Sequence, residues 1–342
     1  MELHTISSLK RAALQGPLPA RVHAQVESIS RKETREGKPF FEVTLADAEA
    51  RLTLRAWSDG PAFTSCEGLG PGAFLAVEGE FSQGAAFGLE SRRWTCRPLA
   101  AEEREALLGG APELREKQRR DFEFILQSVS RLSDPRLRGL AELFLEDYGD
   151  RYRRAAAARS NHHARRGGLV EHVAQMLRAA LALADVYPVN RDLLVAGVLF
   201  HDAGKLWENS LPAEGFQMPF DERGELLGHI TIGIELLNAL WRKLMSREEA
   251  KLWAGLTPSS EDVRLHLLHL VAAHHGELQF GSPVPPKTPE AWMLHFVDNI
   301  DAKWEMLQAG YANAKRIAPR IQERVWPLPG NLVAPLAPFS KA

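Results

Sequence analysis

The residues best able to do chemistry in this chain are histidines and aspartates. Ten of the twelve histidines fall between His162 and His295. Surface histidines would scatter more evenly, so this clustering predicts a site. Its centre is the pair His201-Asp202 in FHDAGK, Phe200 to Lys205, with His172, His229, His274, His275 and Asp298 before and after it. Imidazole together with carboxylate suits borderline divalent ions such as Mn, Fe, Co, Ni or Zn. All-oxygen sites for Ca or Mg would not need so many histidines. Seven candidate ligands exceed what one open ion takes from protein. Two ions sharing a carboxylate is the economical solution, and Asp202, beside His201, is the natural bridge. Two ions a few Å apart can clamp the oxygens of a phosphoester during in-line displacement. Lys205, three residues past Asp202, can reach a phosphate oxygen as a point charge. Asp202 and Lys205 are therefore the candidate catalytic residues.

Each residue alone has a plainer reading. A His-Asp dipeptide is common, His274-His275 could end a helix with one ring buried, and Asp298 could cap or pair with an arginine. Their joint occurrence at helix starts and ends favours the metal reading. His266, His269 and His295 are expected to be structural or to orient ligands.

The elements that must position these residues are helical. The run LLVAGVLF (Leu193 to Phe200) is apolar throughout and predicts a buried helix delivering His201 and Asp202 at its C-terminal end. Leu169 to Val186 reads as a helix with His172 in its first turn, and Leu227 to Lys243 as one with His229 at its start. Ser259 to Asp262 caps a helix running to His274-His275, where Gly276 stops it. The last strong helix opens near Pro289 and carries Asp298. Lys205 to Gly224 reads as a loop on the site rim. Arg151 to Arg166 carries six arginines and no acidic residue. It predicts a basic helix whose position beside the cluster suggests phosphate contact.

Ahead of this lies a different texture. Residues 1–18 form a short lead. From Ala20 to Pro98 the pattern is β: an alternating strand to Arg31, a hairpin over Phe40 to Trp57, a loop with a short helix, and a second hairpin turning at Gln83-Gly84. Five short strands with a helical insert after the third is the plan of an OB-fold barrel. Such barrels often bind single-stranded nucleic acid by stacking and phosphate contacts. Phe40, Phe41, Trp57, Phe81, Phe87 and Trp94, with Arg51, Arg55, Arg92 and Arg93, are the available side chains, although most aromatics in a small barrel are core. The fold class is α+β multidomain, an N-terminal OB-fold β-barrel at 19–98 followed through a helical linker at 99–134 by an all-α helical bundle at 135–316 and a Pro-rich tail at 317–342.

The net charge of −2 announces no global basic field, so any nucleic-acid patch must be local. Two cysteines exclude a disulfide scaffold and a four-Cys zinc site, and fit a reducing compartment. No apolar run approaches the roughly 20 residues that cross a bilayer, and the first residues lack a signal-peptide core. The expectation is a cytoplasmic protein without membrane partners. Its apolar helices and Pro-rich tail leave room for a homo-oligomer.

The order H…HD…H…HH…D, met by His172, His201-Asp202, His229, His274-His275 and Asp298, resembles the HD superfamily of metal-dependent phosphohydrolases. The three extra histidines match the subset that holds a second metal. The GYP signature of the HD-GYP proteins is absent. The segments NHHARRGGLVEH (Asn161 to His172), NRDLLVAGVLFHDAGK (Asn190 to Lys205), ELLGHITIG (Glu225 to Gly233) and the stretch after His275 resemble the YhaM family of 3′→5′ exoribonucleases. In that family an OB-type domain precedes the HD domain. The resemblance implies one ion on His172, His201, Asp202 and Asp298, and a second on Asp202, His229, His274 and His275, with Mn first among the candidates. It implies that Lys205 contacts the scissile phosphate and that His163 and Arg166 lie near the substrate. The implied activity is hydrolysis of the 3′-terminal phosphodiester of single-stranded RNA, with DNA left open, releasing nucleoside 5′-monophosphates while the barrel holds the upstream strand. The chain departs from the commonest wording at Phe200 and Ala203, neither of which is a proposed ligand. Two other readings stand beside this one: a phosphohydrolase of small or cyclic nucleotides, and a non-catalytic nucleic-acid-binding regulator. The barrel and the arginine run favour a strand over a small molecule. Retention of every ligand argues against an idle site.

Overall fold

The computed structural model describes residues 1–84, 88–160 and 162–339. Phe87 and Asn161, both singled out above, lie outside the described residues. The chain divides into two compact units, Met1–Lys117 with Leu211–Pro219, and Gln118–Ser210 with Phe220–Ala342.

The first unit is the OB-like half-barrel. Its lead is structured: β1 (Glu2–His4) pairs parallel with β2 (Leu18–Glu33), and α1 (Ile6–Ala12) is capped by the Thr5 side chain. Strand β2 carries Ala20, Val22, Ala24 and Val26 fully buried on one face, the period of a half-buried strand. It pairs antiparallel on one side with β3 (Pro39–Ala46), which pairs in turn with β4 (Arg51–Trp57). A bulge between Val26 and Ser28 bends β2. The short helix α2 (Phe63–Cys66) follows β4, as the insert after the third long strand. Strand β5 (Phe74–Gly84) pairs with the other side of β2, with β6 (Gly88–Glu90) and with β7 (Trp94–Pro98). Gln83 and Gly84 are still paired in β5, so the hairpin does not turn there; Gly84 faces Gly88 in the register. Helix α3 (Ala101–Gly109) completes the run.

Burial sorts the barrel aromatics. Phe81 and Trp94 are core, with the Trp94 indole donating to the Arg55 carbonyl at 3.0 Å, and Phe41 packs into the same core. They cannot stack on a strand. Phe40 packs against half-buried Trp57 at 4.9 Å between ring centroids, with the Arg55 guanidinium 5.9 Å above Phe40. Arg51 is paired with Glu27. Residues 211–219 also belong to this unit: the Phe216 amide donates to the buried Gln25 side chain at 2.7 Å, and the Phe216 ring packs on Ala46 and Ala48.

The second unit is helical. It starts within α4 (Pro112–Ser130) and continues with α5 (Pro135–Arg154), α6 (Gly168–Ala184), α7 (Arg191–Phe200), α8 (Lys205–Glu208), α9 (Glu222–Met245), α10 (Ser260–Ala273) and α11 (Pro289–Asn313). Every residue of α7 from Leu193 to Phe200 is buried, as its unbroken apolar sequence requires. Gly197 lets α10 approach, because a Cβ there would stand 2.2 Å from the Leu270 side chain. Asn190, Ser259 and Thr288 cap α7, α10 and α11 through their side-chain oxygens. The arginine-rich run is not one helix. Only Arg151 to Arg154 are helical, at the end of α5; Ala155 leaves the helix with ψ 145°, and Ala155, Ala156 and Ala157 are fully buried. Three buried alanines leave the arginines no continuous solvated face. The Pro-rich tail carries a small antiparallel sheet of β8 (Arg316–Ala318), β9 (Ile321–Gln322) and β10 (Leu332–Val333).

Candidate metal centre

Helix ends build the site. His201 stands at the C-cap of α7 and His274 at the C-cap of α10. Carbonyls in a last helical turn lack intrahelical donors. Each histidine supplies one from its own ring: His201 Nδ1 donates to the Val198 carbonyl at 2.8 Å, and His274 Nδ1 to the Val271 carbonyl at 2.7 Å. The device satisfies the carbonyl and aims Nε2 away from the helix. His275 Nδ1 donates to the Phe280 carbonyl at 2.7 Å, His229 Nδ1 to Glu208 at 2.8 Å, and His172 Nδ1 to Asp301 at 2.7 Å. The rings of His201, His229, His274 and His275 are thereby held with Nδ1 protonated and Nε2 free as a lone pair, the arrangement that metal-binding histidines use, and His172 reaches it on losing a proton.

Four of those Nε2 atoms, all but that of His275, converge on Asp202. Around its Oδ2 stand His201 Nε2 at 3.2 Å and His172 Nε2 at 3.7 Å. The two rings' Nε2 atoms are 3.3 Å apart, and Asp298 Oδ1 is 3.4 Å from His172 Nε2. Around Oδ1 stand His229 Nε2 and His274 Nε2, each at 3.6 Å. Donors about 2.1 Å from one ion stand about 3.0–3.4 Å apart at octahedral to tetrahedral angles. The separations of 3.2–3.4 Å match ligands that share one ion, and those of 3.6–3.7 Å are too long for hydrogen bonds. Asp202 Oδ1, His229 Nε2 and His274 Nε2 are all buried with no hydrogen-bond partner. Three orphaned acceptors facing one another are costly unless a cation fills the gap, so the donor set fits a divalent ion. His229, His274 and His275 form one ligand group and His172, His201 and Asp202 another. His163, His172 and Asp301 also lie close, but their 2.7 and 2.9 Å contacts are hydrogen bonds to one carboxylate oxygen.

Two glycines bring the elements together. Gly204 lies against α9 just past its break at Gly228, where a Cβ would come within 1.9 Å of the His229 carbonyl oxygen. Gly228, with φ 68° and ψ 159°, breaks α9 just before His229 and turns its ring inward. That backbone region is essentially glycine's alone.

The electrostatics suit a metal site. Burial pushes the Asp202 carboxyl up, but His201 and Lys205 outweigh it and hold it well below the usual range. The Asp298 carboxyl is likewise lowered against burial, by His172 and His201. Burial and the neighbouring rings His201 and His275 keep His274 neutral, and burial with His229 does the same for His275. Burial lowers His172, yet Asp298 and Asp301 prevail and raise it to about 9. Ionised carboxylates and neutral imidazoles are the states that bind metal, and His172 must release a proton to join them.

Lys205 is 8 % exposed and its ammonium donates to Asp202 Oδ2 at 2.6 Å. His163 is 4 % exposed, has φ 45°, and gives its Nε2 hydrogen to Asp301 at 2.9 Å. Arg166 is pushed down to about 10 by burial and by the charge of Arg154. The neighbouring Arg165 instead forks onto Glu171 at 2.8 Å and reaches Glu305 at 2.7 Å. His295 donates to the His274 carbonyl at 2.9 Å, and His269 accepts from the Lys287 amide. His266 lines a cavity of about 610 Å³, none of whose lining residues belongs to the cluster. Of the rim loop, Lys205 and Glu208 reach the site, while residues 211–219 belong to the first unit.

The sequence reading missed Asp301, Glu208 and His162. Asp301 lies three residues past Asp298 and Glu208 three past Lys205, the spacing that shares a helix face; this was the available signal. The His162 ring lies 5.8 Å from His172 and is lowered to about 4 by burial, Lys205 and His172.

The HD domain family matches residues 169–303. The chain is 31% identical over 296 residues to "3'-5' exoribonuclease YhaM" of Geobacillus sp. (strain WCH70), covering 86% of this chain and 85% of that protein. It is 32% identical over 286 residues to the protein of that name from Oceanobacillus iheyensis, covering 82% and 83%. It is 30% identical over 298 residues to that from Bacillus subtilis (strain 168), covering 85% and 87%. With an HD domain behind an OB-like half-barrel and this similarity along most of its length, the chain belongs to the YhaM 3′-5′ exoribonuclease family.

Proposed function

We propose that the protein is a metal-dependent 3′→5′ exonuclease that removes nucleoside 5′-monophosphates from single-stranded RNA. The observation that carries this reading is the division of Asp202, with Oδ2 facing one ligand set and Oδ1 the other. His172, His201, Asp202 and Asp298 would hold one ion, and Asp202, His229, His274 and His275 a second. Two divalent ions there would neutralise phosphate charge and activate water; Mn is assigned first, with Fe, Co, Ni and Zn as competitors for an imidazole–carboxylate set. Lys205 offers three donors, of which Asp202 takes one, and the rest serve the scissile phosphate. Burial and the charge of Arg154 disfavour the Arg166 cation, a burden that a substrate phosphate would relieve. His163 acts through Asp301 on His172, as a positioning residue. In the barrel, half-buried Trp57, backed by buried Phe40 and beside Arg55, is the surface assigned to the upstream strand.

A second copy of this chain is the partner assigned to α11. Trp292, Phe296, Ile300 and Trp304 repeat every four residues and are 46, 54, 60 and 53% exposed. Together they leave on the order of 450 Å² uncovered. Doubled about a two-fold axis, with a rim, that approaches the ~1,000 Å² of a specific interface. No helix among the described residues is long and apolar enough to cross a membrane. With two free thiols, the cytoplasm is the compartment we assign.

The test is incubation of 5′-labelled single-stranded RNA with protein of known metal content, beside DNA of the same sequence, because stacking and phosphate contacts alone do not distinguish the sugars. Stepwise shortening from the 3′ end, lost in the His201→Ala, Asp202→Ala double variant, supports the reading. Intact RNA with hydrolysis of a cyclic dinucleotide overturns it.

A further inference from the structure

We propose that Phe220 and Arg159 form a stacking platform for the base of the 3′-terminal nucleotide. This rests on the exonuclease reading and adds how the reacting end is oriented. Phe220 is 77% exposed. A lone exposed aromatic needs no explanation, but this one is held. It precedes Asp221, whose side chain caps α9 by accepting from the Gly224 amide at 3.1 Å. An apolar residue in that position often packs against the fourth residue of the helix. Here that residue is Glu225, so Phe220 has no apolar partner of that kind and stands outward.

One face of its ring is covered by the Arg159 guanidinium, 4.2 Å from the centroid. Arg159 is itself anchored, donating from Nη2 to the Glu208 carbonyl at 3.0 Å. Glu208 accepts from His229 Nδ1 at 2.8 Å, and His229 Nε2 faces Asp202 Oδ1. Two residues, Arg159 and Glu208, and two hydrogen bonds thus link the ring to His229, a ligand of the metal centre. A ring backed by a cation on one face and open on the other suits a nucleobase, because every base has a π-face and Arg adds cation–π attraction. The platform would orient the last nucleotide without reading its sequence. Methylated or bulky bases that still stack would be accepted, and an abasic end would not.

The test compares single-stranded RNA oligonucleotides with a normal and an abasic 3′-terminal residue, on wild type, Phe220→Ala and Phe220→Trp. Phe220 is exposed, so neither change threatens folding. Stacking of this kind is worth about 5- to 150-fold per base. Phe220→Ala should lower the preference in kcat/KM for the base-bearing end by a factor in that range, and Phe220→Trp should keep it. The same preference should appear, and shrink, in binding measured by fluorescence anisotropy with metal chelated. If Phe220→Ala slows or weakens both oligonucleotides equally, or neither, the platform is wrong. If wild type binds with the preference but shortens neither, the platform stands and the exonuclease reading fails.

Discussion

Gly204→Ala tests how the second ligand set is held. A Cβ at this position would lie 1.9 Å from the His229 carbonyl oxygen, 2.7 Å from its carbonyl carbon and 2.8 Å from the Gly233 amide nitrogen. These are backbone atoms with no rotamer to escape into. To restore even a tight contact the turn of α9 that follows Gly228 must retreat by about 1 Å, and His229 goes with it. Metal–ligand distances tolerate about 0.2 Å. Overpacking of this size costs about 1–3 kcal/mol, against a stability of about 5–15 kcal/mol, so the variant should fold and melt cooperatively at a lower temperature. Bound Mn, measured by mass spectrometry after gel filtration, should fall from about two ions per chain towards one. A 1 Å misplacement at a reacting centre can cost about 10²-fold in rate, which 5′-labelled RNA would report. Gly228→Ala reaches the same histidine by another route, since nothing lies within 4 Å of its Cβ and only its backbone conformation is offended. If both variants keep two ions and wild-type turnover, His229 is not positioned by these glycines and the reasoning fails.

Three further outcomes follow from the same geometry. Asp301→Asn should weaken the first ion about 10- to 100-fold by isothermal titration while leaving the fold intact, since it orients His172 without touching metal. His172, raised to about 9, stabilises the metal-free fold fully below an ordinary imidazole's value, and that contribution is lost as pH rises through 9. Metal must displace this proton, so titrations at pH 7.5 in buffers of different ionisation enthalpy should show about one proton released, and apparent affinity should climb about tenfold per pH unit up to about 9; no release would refute it. Gly149→Ala, inside the C-terminal third of α5 with open space around the added methyl, should stabilise by about 0.4–1 kcal/mol in urea, whereas destabilisation would show the site to be tighter than described.

Where the sequence carried a strong period or a capping residue, it was enough. The all-apolar stretch before His201 could only be buried, and His201 and His274 stand at the helix ends that their neighbours imply, whereas α9 begins at Glu222, well ahead of His229. The failures share one cause. Arg151 to Arg166 looks helical by composition, yet the triple alanine is buried for tertiary reasons that composition does not show. Glu208 and Asp301 resemble ordinary surface acids until the fold turns them onto histidine rings. Arg165 looks like a free surface cation in sequence, and only the fold brings Glu171 and Glu305, from α6 and α11, onto it. Phe40 and Phe41, neighbours on one strand, differ by which side they occupy, Phe41 joining the barrel core and Phe40 packing on Trp57, and that parity depends on the register of the pairing.

Residues 211–219 carry a consequence for how the molecule is made and dissected. They leave the helical unit after Ser210 and return to it at Phe220, having joined the half-barrel in between. During synthesis the barrel therefore lacks the Phe216 cover on Ala46 and Ala48 until well after α7 has left the ribosome. Nor does one cut separate the parts. A fragment beginning at Gln118 would keep the nine-residue excursion without its support, and a fragment ending at Lys117 would leave Gln25 without the Phe216 amide it accepts from. The two units are two in packing but a single piece in covalent order.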